Sequence, residues 1–241
     1  MRSIAQQTVE ELGGEGSVLV RQRRDHIELD GLLRQVESTS GDEQDEVLTR
    51  MCRLVFSHAF AEEAVLWPAL RRHLPDGEQL TVEVEREHQE INELISAVER
   101  STRSDPGRDA LIARAVDLLD QDVREEEDEL FPRLREVVGD RELQRLGLTW
   151  EAVRRTAPTR PHPTVARRPP GNVLAALPLT VLDRTRDLVD RAARRGPGPV
   201  ARGGRAVSRA LAAVAGAVER LGPIRRGEDP STRAGRTEVE D

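Results

Sequence analysis

Apolar residues recur every three to four positions through the first half of the chain, which is the spacing of one face of an α-helix. This pattern predicts a first helix over residues 17–38 and a second helix that ends at the sequence HLPDGE. A third helix is predicted over residues 79–101, and a fourth runs to about residue 138 with Asp105 as N-cap and Pro106 at its first position. Four helices with short connections predict an all-α fold, an antiparallel four-helix bundle.

The rest of the chain is predicted to form a C-terminal helical extension. Residues 139–156 are expected to be a short helix that caps the bundle, so the first domain is predicted over residues 1–156. Proline and arginine predict a linker over residues 157–172. A basic helical hairpin is predicted over residues 173–222, with its helices at about 173–195 and 204–221, and a disordered tail over 223–241.

Two prolines, Pro68 and Pro132, fall inside the second and fourth predicted helices. Proline lacks a backbone donor and its ring clashes with the preceding turn, so we expect each one to kink its helix. The alternative is that each helix ends at its proline.

The two halves of the bundle repeat one order of residues. HAFAEEAVLWPAL and DVREEEDELFPRL share two glutamates, an aromatic residue and a proline, and DHIELDGLL likewise matches EHQEINELI. The register aligns His58 with Asp122, Glu62 with Glu126, and His26 with His88. The repeat predicts two similar helical hairpins related by a pseudo-two-fold axis, and each hairpin would supply half the ligands of a centre with two metal ions.

Several of the aligned polar residues lie on the apolar, inward faces of their helices. These are His26, His58, His88 and Asp122, one from each helix, with Glu62 and Glu126 one turn beyond. A single inward histidine is usually a core residue satisfied by a hydrogen bond. Ionised carboxylates in a dry core, however, are costly unless a cation compensates them, and the sequence places no arginine on these faces. The six residues together therefore favour a bound metal.

Composition limits the other kinds of site and the compartment. Cys52 is the only cysteine, so a disulfide framework or a cysteine-based zinc site is excluded. The first residues lack the apolar segment of a signal peptide, and no apolar run reaches the roughly 20 residues of a transmembrane helix. We therefore expect a cytoplasmic protein without a transmembrane segment.

The order His, His-x-x-x-Glu, His and a final x-x-x-Glu, with Leu-aromatic-Pro after each paired element, resembles the hemerythrin-like (HHE) cation-binding domain. The resemblance covers about residues 17–138. It implies a four-helix bundle with two non-haem iron ions, and activities that include dioxygen binding and the sensing of oxygen, redox state or iron. His26, His58, Glu62, His88 and Glu126 match the ligand pattern of the family. Manganese or zinc is the alternative metal, and a helical interaction scaffold with a degenerate metal site is the alternative function.

Asp122 departs from this family pattern, which has a histidine on the fourth helix. Aspartate is itself a good ligand for iron or manganese. Three imidazoles and three carboxylates favour the ferric state, so redox chemistry or sensing is expected rather than reversible oxygen carriage. With Glu62 and Glu126 bridging, about one position on each metal stays open for water, dioxygen or peroxide.

Four other residues have side chains that could bind a metal. Glu63 and Glu127 are expected at the surface or behind the ligands, although the five-residue spacing from Asp122 to Glu127 keeps Glu127 open as a ligand. His73 fits a helix C-terminus, where a partly positive imidazole is favourable, and His162 lies in the predicted linker. Both histidines are excluded from the predicted ligand set.

The sign of the charge differs between the two parts of the chain. Residues 1–156 carry 21 Arg and 35 acidic residues, whereas residues 157–241 carry 16 Arg and 9 acidic residues. The basic helices are expected to dock on the bundle or on a protein partner. Trp and Phe anchors for a membrane surface are missing, and no aromatic residue follows Trp150 to stack on a nucleic-acid base.

Overall fold

The computed structural model describes residues 2–234, and Met1 and residues 235–241 lie outside the described part. Within residues 2–234 the regular structure is helical and includes no strand. The segments that build the bundle are α1 (Val18–Ser38), α2 (Gly41–Ala61), α3 (Trp67–His73), α4 (Gly77–Arg100), α5 (Arg108–Glu125) and α6 (Phe131–Val137). Because α3 continues α2 and α6 continues α5, these segments make four arms, and the predicted all-α four-helix bundle is confirmed.

The bundle interior consists of two separate apolar cores. The first core holds the large side chains of Trp67, Phe131 and Trp150, and the second is mainly aliphatic, with Ile95 and Leu119 among its members. Along α1 and α4 the chain passes from the first core to the second, and along α2 and α5 it passes in the opposite direction. Each arm therefore crosses the same gap between the cores, and its polar residues lie in that gap.

A π-helical turn lies directly before each proline-containing segment. The sequence predicted a kink or a helix end at these prolines and did not predict a π-helical turn. Residues 62–66 and 126–130 form these turns, in which the N–H of Trp67 bonds to the carbonyl of Glu62 and the N–H of Phe131 to that of Glu126. A wider turn moves the proline ring away from the carbonyl group that it would meet in an α-helix. The helix therefore continues through each proline, and each turn begins at a glutamate of the repeat.

The start of the fourth arm differs from the prediction. Helix α5 begins at Arg108 with Gly107 at its N-cap, whereas Asp105 was predicted as the cap. The Asp105 carboxylate instead accepts a hydrogen bond from the backbone N–H of Thr102 at 2.7 Å. The aspartate is thus used to close the preceding turn, and the helix starts two residues later than expected.

Helix α7 (Asp140–Arg155) covers one end of the bundle at the position where the sequence predicts a capping helix. Its Trp150 is fully buried in the first core. A Cβ atom on Gly147 would overlap the carbonyl oxygen of Gly16, so glycine allows α7 to lie directly against the chain that leads into α1.

The segment predicted as a linker is packed against the bundle. We refer to residues 157–170 as the strap; it lacks regular structure, yet Thr159, Arg160, His162 and Arg167 are buried in it. The His162 backbone N–H donates to the Asn92 side chain on α4 at 3.0 Å. Proline-rich composition predicted irregular structure, but it could not reveal the buried polar partners that hold the strap in place.

His162 is a buried structural residue rather than part of a loose linker. Its Nε2 lies 3.0 Å from Asp183 and its Nδ1 lies 2.9 Å from Glu219. Burial alone would lower the pKa of His162, but these two carboxylates outweigh it and raise the pKa to about 9. The charged imidazole therefore ties the strap to both of the helices that follow.

The C-terminal helices are α8 (Gly171–Arg195) and α9 (Gly198–Glu219), separated only by Gly196 and Pro197. Helix α9 begins six residues earlier than predicted, because a proline in the first turn of a helix costs no hydrogen bond. Residues 223–234, predicted as disordered, contain 3₁₀ turns with Ile224 and Thr232 buried, and the rest of the predicted tail lies outside the described residues. No helix in the described part of the chain has the length and apolarity needed to cross a membrane.

Candidate metal centre

The six residues predicted as ligands meet in the gap between the two cores. Their donor atoms fall into two groups, each with its atoms within 4.8 Å of one another. One group contains His26, His58, Glu62 and Glu126, and the other contains His88, Asp122 and Glu126. Each group is drawn mainly from one helical hairpin, and Glu126 belongs to both. This arrangement is compatible with two neighbouring metal ions that share a carboxylate.

The distances within the site place Glu62 between histidines of different arms. Its Oε1 lies 2.9 Å from His58 Nε2, and its Oε2 lies 3.8 Å from His88 Nε2. Glu126 approaches His26 Nε2 at 3.2 Å, and Asp122 approaches His88 Nε2 at 3.6 Å. Both glutamates are 1% exposed, so water does not solvate their charge.

Several donor atoms of the site make no hydrogen bond among the described residues, although ion-pair partners are near, as His58 Nε2 is to Glu62 Oε1. They are His26 Nε2, both carboxylate oxygens of Glu62, Asp122 Oδ1 and Glu126 Oε1. Buried polar atoms are almost always hydrogen-bonded, and a buried carboxylate without a partner costs several kcal/mol. Imidazole nitrogens and carboxylate oxygens that converge in this way fit one or two metal cations.

Each histidine of the site forms a hydrogen bond with a carboxylate through Nδ1, the ring nitrogen on the side away from the centre. His26 Nδ1 lies 2.9 Å from Glu127, His58 Nδ1 lies 3.1 Å from Asp25, and His88 Nδ1 lies 3.1 Å from Glu63. Since a carboxylate accepts the hydrogen bond, Nδ1 carries a proton, and Nε2 is the ring nitrogen that faces the centre of the site. Carboxylates in this position orient metal-binding histidines and make them stronger donors.

Residues 18–134 match the family model described as the Hemerythrin HHE cation binding domain. These residues form a hemerythrin HHE domain. An uncharacterized hemerythrin-like protein of Schizosaccharomyces pombe is 22% identical over 135 residues, which cover 56% of this chain and 66% of that protein. The match thus spans slightly less than two thirds of that relative. No solved structure matches the chain.

Two of the three carboxylates that hydrogen-bond to the site histidines come from the opposite hairpin of the HHE domain. His26 on α1 is held by Glu127 from the second hairpin, and His88 on α4 is held by Glu63 from the first. Glu63 and Glu127 each follow the shared glutamate of their π turn, so the repeated Glu-Glu pair gives one carboxylate to the centre and one to a histidine. This division explains why the repeat contains two glutamates.

Two arginines that the sequence did not associate with the site lie behind these carboxylates. Arg154 on α7 approaches Asp25 at 3.5 Å, and Arg167 of the strap approaches Glu63 at 3.6 Å. Both come from outside the four arms, so helical periodicity could not connect them to the ligands. Asp25 itself was missed, and its position directly before His26 in the first copy of the repeat was the available signal.

The aromatic residues of the repeat form one wall of the HHE centre. The Phe131 ring lies 6.1 Å from the His26 ring, and the Trp67 ring lies 6.1 Å from the His88 ring. Trp67 and Phe131 stack on each other at 6.4 Å. The second half of each repeat thus packs an aromatic ring against a histidine of the other hairpin, which fixes that imidazole and keeps water out.

The protonation of the acidic groups reflects an excess of negative charge. Burial, together with the neighbouring Glu62 and Asp122, raises the pKa of Glu126 well above its ordinary value. Burial and the nearby Asp122 and Glu125 likewise raise the pKa of Glu87, to about 7. Burial would raise the pKa of Glu62 as well, but His58 and His88 outweigh it and lower that pKa. The uncompensated negative charge is therefore centred on Glu126, where a bound cation would favour ionisation.

Proposed function

We propose that the HHE domain binds two non-haem iron ions and uses them to bind or react with dioxygen or peroxide, in oxygen or redox sensing or in iron homeostasis. His26 and His58 would hold one metal ion and His88 and Asp122 the other, and Glu62 and Glu126, which lie between the two groups, would be shared by both. The observation that carries the proposal is the layer of unpartnered donor atoms enclosed between two apolar cores. Mixed imidazole and carboxylate donors suit iron, and manganese and zinc are the competing metals.

The residues around the ligands have defined tasks in this proposal. Asp25, Glu63 and Glu127 hold the three imidazoles with Nε2 toward the metals. Leu54, Leu119 and Val123 line the small cavity beside Asp122, so the approach to the site suits a small uncharged molecule. Iron bound here would supply a redox-active centre with open coordination positions.

Asp122 favours sensing or redox chemistry over oxygen carriage. An aspartate adds negative charge where a neutral imidazole is usual in the family, and negative charge stabilises the ferric state. It is also shorter than histidine, so space remains beside the metal that His88 serves. This choice of role is supported by the ligand chemistry alone.

Removal of metal is expected to lower the melting temperature of the full chain by about 5–10 °C, because binding to the folded state is coupled to stability. The measurement is metal content and near-ultraviolet absorption of the recombinant protein, followed by thermal unfolding before and after chelation. About two irons per chain with charge-transfer bands are expected. A colourless, metal-free protein from iron-rich medium, with a melting temperature indifferent to chelator, would instead indicate a scaffold with a dead site.

Substitution of Asp122 tests its role as a ligand. Asp122→His should retain both metals and move the absorption spectrum toward that of imidazole-rich sites, because a nitrogen donor replaces an oxygen donor. Asp122→Ala should weaken the metal served by His88 more than its neighbour. Metal titration and absorption spectra of both variants measure this, with Asp120→Ala, an exposed aspartate on the same helix, as the control. If neither Asp122 variant changes metal content or spectrum, Asp122 is not a ligand.

A further inference from the structure

The C-terminal hairpin, residues 171–221, carries most of the exposed apolar surface of the molecule. Twelve large hydrophobic residues are exposed in the described part of the chain, and nine of them lie in this hairpin. The other three, Ile27, Val137 and Leu148, are scattered over the bundle. Isolated exposed hydrophobic residues are common, whereas a concentration on one element marks a docking surface.

The exposed residues of α9 recur at seven-residue intervals. Val200, Val207 and Val214 are about half exposed, as is Leu221 two residues beyond the end of α9, and Gly203, Ala210 and Ala217 lie on the same stripe. This is the spacing of the contact positions of a coiled coil, and no charged residue interrupts it. The opposite side of α9 is already used, because Ser208 and Ala215 are buried. The stripe therefore fits another helix.

Helix α8 extends this apolar face. Arg186 on α8 donates to Ser208 on α9 at 3.2 Å, which sets the register of the two antiparallel helices. Counting along the two antiparallel helices from this bond places Val181 level with Val214 and Leu188 level with Val207, and it places Leu174 near Leu221, which follows the end of α9. The hairpin thus presents one apolar face two helices wide, which we call the outer face.

We propose that the outer face binds the outer face of a second copy of this chain, so that two hairpins form an antiparallel four-helix dimer interface. A two-fold interface requires a surface that is complementary to itself. The stripe of α9 meets this requirement, because large and small residues alternate symmetrically about Ala210: Val207 faces Val214 of the other copy, and Gly203 faces Ala217. This proposal is independent of the metal site.

The charges of the hairpin permit this pairing. At about 100° per residue, Arg202, Arg205 and Arg209 lie roughly 130° around α9 from the stripe, so they do not oppose each other across the interface. The acidic Asp183 and Asp187 are buried toward the strap and bundle. A membrane surface fits less well, because the outer face has no aromatic anchor and includes small residues that favour close helix packing.

The area of the outer face approaches that of a stable dimer. Helix α9 has 22 residues, so at 1.5 Å per residue the face is about 33 Å long. Two helices about 10 Å apart give it a width of roughly 20 Å, or about 650 Å² per copy. Standard interfaces bury about 800 Å² per partner, so the outer face lies near the lower end of the size range of specific interfaces, and we expect dimerisation in the micromolar range.

The test is the mass of the full chain by sedimentation over a range of concentrations. The wild type should change from monomer to dimer in the micromolar range, and the dimer should be retained or strengthened at high salt, which screens the arginines at the rim. Val207→Glu with Val214→Glu should leave a folded monomer, since both residues are exposed. Leu148→Glu, a more exposed apolar position on α7, should still dimerise. A wild type that stays monomeric up to 100-fold above the expected range would overturn the proposal.

Cross-linking locates the two-fold axis. In a Cys52→Ser background, Ala210→Cys should form a disulfide-linked dimer on mild oxidation, because two copies of residue 210 face each other. Arg209→Cys, one residue away on another side of α9, should not. A dimer that survives the double glutamate variant would place the interface elsewhere on the molecule. A monomer that sediments with anionic phospholipid vesicles through the outer face would assign that face to a membrane. Either result would overturn the pairing.

Discussion

Glu62→Gln and Glu126→Gln are each expected to cost the protein more than half of its bound iron, from both positions rather than one. Glu126 belongs to both groups of donor atoms, and Glu62 reaches histidines of different arms. Glutamine preserves size and helical propensity but removes the charge and one anionic donor. The chain should stay helical, because the apolar cores on either side are unchanged. Iron per chain and circular dichroism are the measurements.

The neighbouring glutamates supply the matched controls. Glu63→Gln and Glu127→Gln change the same residue type one position later, where the side chain accepts a hydrogen bond from a histidine Nδ1. A glutamine oxygen still accepts that bond, so iron content should be near normal. Glu127→Ala removes the acceptor and should weaken metal affinity about 10- to 100-fold. Iron lost in the Glu127→Gln variant but kept in Glu126→Gln would move the bridge by one residue.

The sequence predicted which six side chains converge between the two cores, because this information is local to each helix. A histidine or aspartate four residues before a glutamate places both on one face, as with His58 and Glu62, and the repeat then identifies the matching pair. The all-α bundle followed from the same periodicity and is confirmed. The two groups of donor atoms come from four arms of the bundle, and whether they meet depends only on the register of those helix faces.

The elements that the sequence missed depend on contacts between distant parts of the chain. Arg154 and Arg167 reach the site from α7 and the strap, and nothing in their local sequence marks a partner. The π turns were missed because Pro68 and Pro132 are compatible with a kink, an end or a wider turn. The strap was predicted as a linker because its composition indicates an absence of regular structure. Composition does not indicate whether such a segment is buried against the bundle.

The buried contacts of the strap raise the question of what fixes the C-terminal hairpin to the bundle. Arg160 is the central residue: its guanidinium contacts Glu99 on α4 at 3.0 Å and, on α8, Asp187 at 2.8 Å and Asp190 at 2.6 Å. Its side chain is only 9% exposed. Burial opposes its charge, yet the three carboxylates raise the pKa of Arg160 further above its ordinary value, so it stays charged at every pH at which the protein is folded.

Arg160→Ala is therefore expected to lower the free energy of unfolding by about 3 kcal/mol, because it leaves buried carboxylates without their cation. Arg103→Ala is the matched control, since Arg103 also pairs with two aspartates, Asp42 and Asp45, but is half exposed, and its loss should have little effect on stability. Urea unfolding of both variants with metal bound measures the difference. Arg160→Lys should recover only part of the loss, because an ammonium cannot reach three carboxylates in the plane of a guanidinium. Equal effects of Arg160→Ala and Arg103→Ala would show that the strap does not hold the hairpin through this residue.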